Sequence, residues 1–128
     1  MSQIHAINTI TSSIHNGQKN LSSHVKLKHS KFIYNVLSIL YEEGYISNFK
    51  RVVDMNKTDI LEVRLKYYCN TPAIRKIERV YNGYISSKLL NYIDLGLVTY
   101  IISTSKGIIS GKEARRLRIG GIILLAIW

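Results

Sequence analysis

The stretch that decides how the C-terminal half folds is Ile101–Gly121, which reads IISTSKGIISGKEARRLRIGG. Its first apolar run ends at Ser103–Gly107, a segment with three hydroxyl groups, one ammonium group and a residue without a side chain. We expect this segment to be the exit loop of a strand. Small polar side chains and a glycine let a backbone approach a sugar-phosphate surface closely, so the loop is a candidate nucleic-acid contact.

A short helix is predicted directly after this loop. Ser110 and Glu113 form the S-x-x-E pattern of a capping box, in which two side chains satisfy free amide groups at a helix start. Gly120 is placed to end the helix, and an apolar strand is predicted over residues 121–127. The helix brings four basic side chains close to the loop: Lys112, Arg115, Arg116 and Arg118.

Apolar spacing predicts two helices in the N-terminal half. Isoleucines recur every three or four residues from Ile4 to Ile14, which makes one apolar stripe, and Asn16-Gly17 is expected to stop that helix. Ser30 is a suitable N-cap for the second helix, and Gly44 is placed to end it.

Strands are predicted around these helices and through the C-terminal half. Period-two alternation predicts strands over residues 24–28, 45–53 and 60–68. Asn70-Thr71-Pro72 marks a joint, because proline restricts the residue before it and removes a backbone donor. The C-terminal elements predicted are a strand over 77–81, a turn at Asn82-Gly83, a return over 84–86, a helical turn over 89–93 and a strand over 97–102.

These elements predict an α+β fold with two small subdomains. Residues 1–70 are expected to form an N-terminal subdomain with the order helix, strand, helix, strand, strand. Residues 71–128 are expected to form a C-terminal subdomain of mostly antiparallel strands with a short helix. The joint at the single proline separates them.

Composition indicates a folded chain with a polyanionic partner. The chain has 128 residues, of which 46% are hydrophobic, so it can bury a compact core. Eighteen Lys and Arg residues against eight Asp and Glu give a net charge of +10. Residues 1–41 hold four lysines and no acid, and residues 98–128 hold five bases and one acid. Basic regions at both ends favour two contact surfaces for a polyanion.

The sequence lacks the residue patterns that other classes of function need. Gly107–Glu113 differs from a phosphate-binding P-loop, because the glycines are one residue too close and Glu113 stands where a hydroxyl belongs. The histidines and Cys69 do not have the short paired spacing of zinc sites. Ser105 and Lys106 alone do not form an activated nucleophile. We therefore expect no enzyme, cofactor, metal or small-molecule substrate. No apolar run reaches the roughly 18 residues of a membrane span.

In order and spacing, the chain resembles the bacterial-type family of small-subunit ribosomal protein eight. The matching C-terminal features are Ser103–Gly107, Ala114-Arg115 and Gly120-Gly121. In the N-terminal half, the matching features are His15–Gln18, Ser30-Lys31 and Glu42–Ile46. The resemblance implies two α+β subdomains and direct binding to an irregular helix in the central domain of small-subunit rRNA. It also implies neighbouring small-subunit ribosomal proteins as partners, and a role in subunit assembly.

The resemblance also assigns contact residues by position. Lys106 and its neighbours would touch the rRNA helix, the double glycine would shape the surface beside them, and a few N-terminal residues would add further contacts. The full set is Ser103, Thr104, Ser105, Lys106, Gly107, Arg115, Gly120 and Gly121, with Asn16, Ser30 and Lys31 in the N-terminal half.

Composition adds a location to what the resemblance implies, and it leaves an alternative function open. Heavy use of isoleucine, lysine, asparagine and tyrosine is typical of translation from an AT-rich genome, so we expect a mitochondrial ribosome. Another organellar or a bacterial ribosome is the alternative location. The alternative function is a basic interaction module that binds protein or anionic lipid surfaces through its terminal helices. That module would bind anionic vesicles without RNA, whereas an rRNA-binding protein would prefer one folded RNA at matched salt.

Overall fold

The computed structural model describes residues 3–81, 83–92 and 96–128, and its fold is α+β, as the sequence predicts. The chain divides into two compact units, Met1–Arg75 and Lys76–Trp128. The joint predicted around residues 70–72 holds a small ladder in which β4 (Tyr67–Tyr68) pairs with β5 (Thr71–Pro72). In the described part of the chain, no helix is long and apolar enough to cross a membrane.

The first unit packs two helices on a three-stranded antiparallel sheet. The helices are α1 (Gln3–Lys19) and α2 (Lys31–Glu42). The strands are β1 (His24–Lys28), β2 (Ile46–Val53) and β3 (Asp59–Leu65), in the spatial order β1-β3-β2. This order matches the predicted helix, strand, helix, strand, strand, and it leaves β2 at an edge of the sheet beside α2.

The core of this unit consists of apolar side chains that alternate along β3 and recur at helical spacing along both helices. On one face of β3, Leu61, Val63 and Leu65 are buried, whereas Arg64 on the other face is exposed. The helices bury residues three or four positions apart against the sheet, as amphipathic helices do. The buried set includes Ile10, Ile14, Val36, Leu37, Leu40, Leu61, Val63 and Leu65.

The helix α1 continues through Asn16-Gly17, so the predicted stop there is wrong. A Cβ atom at Gly17 would lie 2.5 Å from Cγ1 of Val25, so this glycine lets the helix approach the sheet. The helix ends instead where Leu21 takes a left-handed φ of 53°. There the Ser22 amide donates to the Gly17 carbonyl at 2.8 Å, and the Leu21 amide donates to the Gln18 carbonyl at 3.1 Å. This pair of bonds is a Schellman motif built without glycine at its left-handed position.

The second unit is an antiparallel sheet with two short helices. The central strand of this sheet is the last strand of the chain. It pairs with one longer strand along one edge and with two short strands along its other edge. A further strand continues the sheet beyond the longer strand. In chain order, the elements are β6 (Ile77–Arg79), β7 (Tyr84–Ile85), α3 (Ser87–Leu90), β8 (Thr99–Thr104), β9 (Gly107–Ser110), α4 (Gly111–Leu117) and the central strand β10 (Gly121–Ile127).

The strands β6 and β7 do not form a hairpin, so the predicted return over 84–86 is wrong. Both pair antiparallel with β10, and the chain keeps one direction along that edge. Between them, the Val80 amide donates to the Leu124 carbonyl at 3.1 Å and the Ile123 amide donates to the Gly83 carbonyl at 2.8 Å. Backbone bonding to β10 therefore continues past this point. Asn82 itself lies outside the described residues.

Other predicted boundaries shift by a few residues. The strand β8 begins at Thr99 instead of Leu97, and the side chain of Leu97 is 75% exposed. The helix predicted over 89–93 begins at Ser87, because the Ser86 hydroxyl accepts a hydrogen bond from the Leu89 amide at 3.3 Å. Ile93 lies outside the described residues.

Candidate nucleic-acid interface

Residues 103–107 form the end of a β-hairpin, so the prediction that they are a loop is wrong for most of them. Thr104 is the last residue of β8 and pairs with Gly107, the first residue of β9, which leaves Ser105 and Lys106 as the turn. Gly107 has a φ of 104°, whereas the two turn residues have no positive φ. This is the geometry of a type I turn followed by a glycine bulge. The strand continues because Ile108 and Ile109 are half-buried.

Thr104 uses its hydroxyl group to hold this turn. The hydroxyl donates to the Gly107 carbonyl at 2.9 Å and accepts from the Lys106 amide at 3.1 Å. Its single hydrogen is therefore used inside the hairpin. Ser105 and Lys106 are exposed at the tip. The hairpin thus presents these two side chains, and Thr104 positions them.

The double glycine allows backbone segments to pack closely beside the hairpin. A Cβ atom at Gly120 would overlap the carbonyl oxygen of Ile85, and one at Gly121 would overlap the carbonyl oxygen of Ser103. Gly121 begins β10, and the next residue, Ile122, pairs with Ser103. The structure therefore brings Gly121 to the base of the hairpin, and the sheet requires both glycines at these positions.

The helix α4 begins at its predicted cap but ends early. The Ser110 hydroxyl accepts a hydrogen bond from the Glu113 amide at 3.2 Å. The helix ends at Arg118, which takes a left-handed conformation with φ 57° and ψ 41°, so the predicted end at Gly120 is wrong. The Ile119 amide donates to the Ala114 carbonyl at 3.1 Å and completes the cap. Gly120 is needed instead for its close approach to the end of β7.

Arg115 lies in the same unit, with its guanidinium group held against the protein. Its Nε and Nη2 atoms both donate to the carbonyl of Leu90 at the end of α3, the first at 3.0 Å. Arg115 therefore links α4 to α3. It also lines a polar groove of about 330 Å³ together with Ser87, Lys88, Asn91 and Arg118.

An ion pair reduces the positive charge that α4 offers to a partner. Arg116 donates hydrogen bonds to both carboxylate oxygens of Glu113. The hydrogen bond lowers the pKa of Glu113 and raises the pKa of Arg116. Lys112 and Arg118 are exposed on the same helix and its cap.

The N-terminal candidates lie in the first unit. Ser30 is the N-cap of α2, as predicted, because its hydroxyl accepts from the Ile33 amide at 3.1 Å. Lys31 is the exposed first residue of that helix. Asn16 is exposed on α1, one turn before the end of the helix. Ser30 therefore positions Lys31, whereas Asn16 stands on a separate helix.

An aromatic cluster beside Lys31 was not predicted from the sequence. The ring of Phe49 on β2 lies 5.3 Å from the ring of Tyr34 and 6.3 Å from the ring of Tyr41, measured between centroids. Tyr34 and Tyr41 are seven residues apart, so they share one helix face. That spacing is the sequence signal that could have found the cluster. No group of three His, Cys, Asp or Glu side chains suited to a metal ion occurs within the described residues.

Comparison with known proteins identifies a family over nearly the whole chain. The family model described as ribosomal protein S8 matches residues 5–128. The chain is 39% identical over 132 residues to the small ribosomal subunit protein uS8 of Ehrlichia ruminantium (strain Welgevonden), with all of both chains covered. It is 36% identical to that of Rhodopseudomonas palustris (strain BisB18), again over all of both chains. It is 39% identical to that of Anaplasma marginale (strain Florida), over 90% of each chain. The chain therefore belongs to the ribosomal protein S8 family, the family that its sequence resembles.

Proposed function

We propose that this protein is a structural constituent of the small ribosomal subunit that binds the central domain of small-subunit rRNA directly and supports subunit assembly and translation. Membership of a ribosomal protein family makes it a structural component and not an enzyme, as its sequence predicts. The relatives are named as proteins of the small ribosomal subunit. Neighbouring small-subunit proteins are its further partners in this proposal.

The observation that carries the RNA contact is the β8–β9 hairpin with Ser105 and Lys106 exposed at its tip. The ammonium group of Lys106 can neutralise a phosphate, and the hydroxyl of Ser105 can donate to a phosphate or a 2′-hydroxyl. Apart from Gly107 and its two chain neighbours, no atom of the described residues lies within 4 Å of the position that a Cβ at Gly107 would take. An RNA backbone can therefore approach the chain closely at this glycine.

The other C-terminal candidates support the hairpin in this proposal. Thr104 holds the turn, Gly120 and Gly121 allow the sheet to close beside it, and Arg115 fixes α4. In the N-terminal unit, Asn16 and Lys31 provide separate contacts, and Ser30 places Lys31 at the start of α2.

We further propose that the ribosome concerned is mitochondrial. The heavy use of isoleucine, lysine, asparagine and tyrosine supports this location. The relatives named above come from bacteria, so a bacterial or another organellar ribosome is the alternative. Cell fractionation tests the location: the protein should sediment with small subunits prepared from purified mitochondria. Recovery with small subunits from outside mitochondria would contradict it.

The contact is tested with Lys106→Ala and an RNA fragment of the central domain. Loss of a charge-assisted hydrogen bond worth about 1.5–3 kcal/mol should weaken binding about ten-fold or more at fixed salt. Lys57→Asn is the control, because Lys57 is an exposed lysine in the turn between β2 and β3, and asparagine tolerates its φ of 58°. Unchanged affinity of Lys106→Ala, or equal loss in both variants, would remove the hairpin from the contact. Preference for anionic vesicles over the RNA would instead favour the interaction module.

A further inference from the structure

A second basic surface lies in the first unit, between α2 and the edge strand β2. It is a groove of about 610 Å³, within the usual range of roughly 300–1,000 Å³ for ligand sites. Of the contact residues assigned above, it includes Lys31. The side chains that line it are His29, Lys31, Tyr34, Phe49, Lys50 and Arg51. We name this surface the α2–β2 groove.

The aromatic side chains of the α2–β2 groove are held in fixed positions. Tyr34 and Phe49 meet edge to face, with an angle of 71° between their rings. The imidazole ring of His29 lies 6.4 Å from the ring of Tyr34. Edge-to-face packing of this kind is favourable and orients both rings. The groove therefore has an ordered aromatic wall before any partner binds.

Tyr34 is not needed to fill the core beneath it. Its side chain is 43% exposed, whereas Ile33 and Leu37 on the same helix are buried. Phe49 is half-buried and pairs with the buried Val63 across the strands, so it lies on the face of the sheet that α2 covers. The rim of the groove thus carries aromatic surface that the fold leaves partly open to solvent.

The charges around these rings are mainly positive. Lys31 and Lys50 are exposed at the groove. The third cation, Arg51, forms an ion pair with Asp59 at 2.6 Å, and this hydrogen bond lowers the pKa of Asp59. The carboxylate of Asp59 is therefore offset by its own arginine. Two lysines remain to attract a polyanion.

We propose that the α2–β2 groove binds unpaired nucleotides of RNA, with a base stacked on Tyr34 and Phe49 and the adjacent phosphates held by Lys31 and Lys50. Positive charge interleaved with aromatic rings is the arrangement that binds single-stranded nucleic acid. In duplex RNA the bases are already stacked on one another, so they cannot stack on the aromatic rings of the groove. Only the positive charges of the groove attract a duplex. The groove binds RNA by base stacking, whereas the hairpin contacts phosphates and 2′-hydroxyls. Only the identity of the bound RNA as rRNA rests on the proposed function.

The test uses the full chain and a fluorescent oligouridylate of about eight nucleotides, followed by anisotropy at fixed salt. Tyr34→Leu removes the ring and keeps an apolar side chain, so binding should weaken about ten-fold. Tyr41→Leu is the matched control, because Tyr41 also contacts Phe49 from α2 but does not line the groove. It should bind within about two-fold of the unchanged chain. Lys50→Gln should also weaken binding and reduce its dependence on salt, and this variant leaves the aromatic packing unchanged.

Three results would overturn the proposal. The first is equal binding by the unchanged chain, Tyr34→Leu and Lys50→Gln. The second is tighter binding of a paired RNA hairpin of matched length than of the oligouridylate. The third is tighter binding of oligoglutamate of equal charge, which would make the groove a docking site for an acidic protein. The groove is read from Tyr34→Leu with the oligouridylate and the hairpin from Lys106→Ala with the central-domain fragment, so a failure of the hairpin contact and a failure of the groove are separate observations.

Discussion

At the scale of single residues, Tyr67 shows how one polar group secures the end of a helix. Its hydroxyl donates to the Ser22 carbonyl at 2.6 Å and lies 3.4 Å from the Gly17 carbonyl. Both carbonyls belong to the turn around Leu21 that ends α1. Burial raises the pKa of the Tyr67 hydroxyl, because a phenolate would be poorly solvated there.

Tyr67→Phe should lower the free energy of unfolding by about 0.5–1.5 kcal/mol at pH 7, since it removes this hydrogen bond. The pKa of Tyr67 is raised in the folded protein, so the contribution is complete below its unfolded pKa of about 10 and is lost as the pH rises through the folded pKa. Urea unfolding at pH 7 and above pH 10 measures both effects. Equal stability of the two proteins at pH 7, or a difference that does not shrink at high pH, would contradict this role.

At the scale of elements, α4 is fixed at both ends and on one side. Ser110 caps its start, Arg118 closes its end in a left-handed conformation, and Arg115 connects it to α3. Ala114, on its inner face, is completely buried in a cluster with Ile102 and Ile123. The helix therefore braces the strands that carry the hairpin.

Ser110→Ala should destabilise the protein by about 1 kcal/mol, because the Glu113 amide loses its partner. Ser110→Asp restores an acceptor and adds a negative charge at the helix start, so it should recover most of that loss. Thermal unfolding of the three proteins measures the differences. If the alanine variant melts with the unchanged protein, the cap does not contribute.

Two helix starts that depend on local bonds were predicted correctly from sequence. Ser30 and Ser110 were recognised as caps because each hydroxyl bonds an amide three residues away. Two of the wrong predictions involve contacts distant in sequence. Gly17 was taken as a helix stop but provides space for Val25, and Gly120 was taken as a stop but provides space for Ile85.

In the candidate site too, residues contiguous in sequence were predicted, whereas contacts that only the fold creates were not. The resemblance supplied the hairpin residues, because they are contiguous in the sequence. It could not show that the Thr104 hydroxyl is used inside the turn or that Arg115 bonds the carbonyl of Leu90, since both follow from the folded geometry. The aromatic wall of the α2–β2 groove needs a helix and a strand to meet, so periodicity in either segment alone does not reveal Tyr34 beside Phe49.

At the scale of the whole molecule, positive charge is concentrated in two parts of the chain. Residues 1–41 have no acid, and residues 98–128 have one acid among five bases. Each region holds proposed RNA contacts, with Asn16 and Lys31 in the first and Lys106 in the second. Binding through phosphates releases counterions, so affinity for RNA should fall steeply as salt is raised. Each unit thus combines a folded core with a basic surface of its own.

The central claim is that this protein binds the central domain of small-subunit rRNA through the β8–β9 hairpin. The most direct test is to sediment cell extract on a sucrose gradient, cross-link the native protein to RNA, and sequence the RNA attached to each peptide. We predict sedimentation with small subunits and cross-links from residues 103–107 to one helix of the central domain. Protein that stays at the top of the gradient, with RNA absent or scattered over many sequences, would contradict the claim.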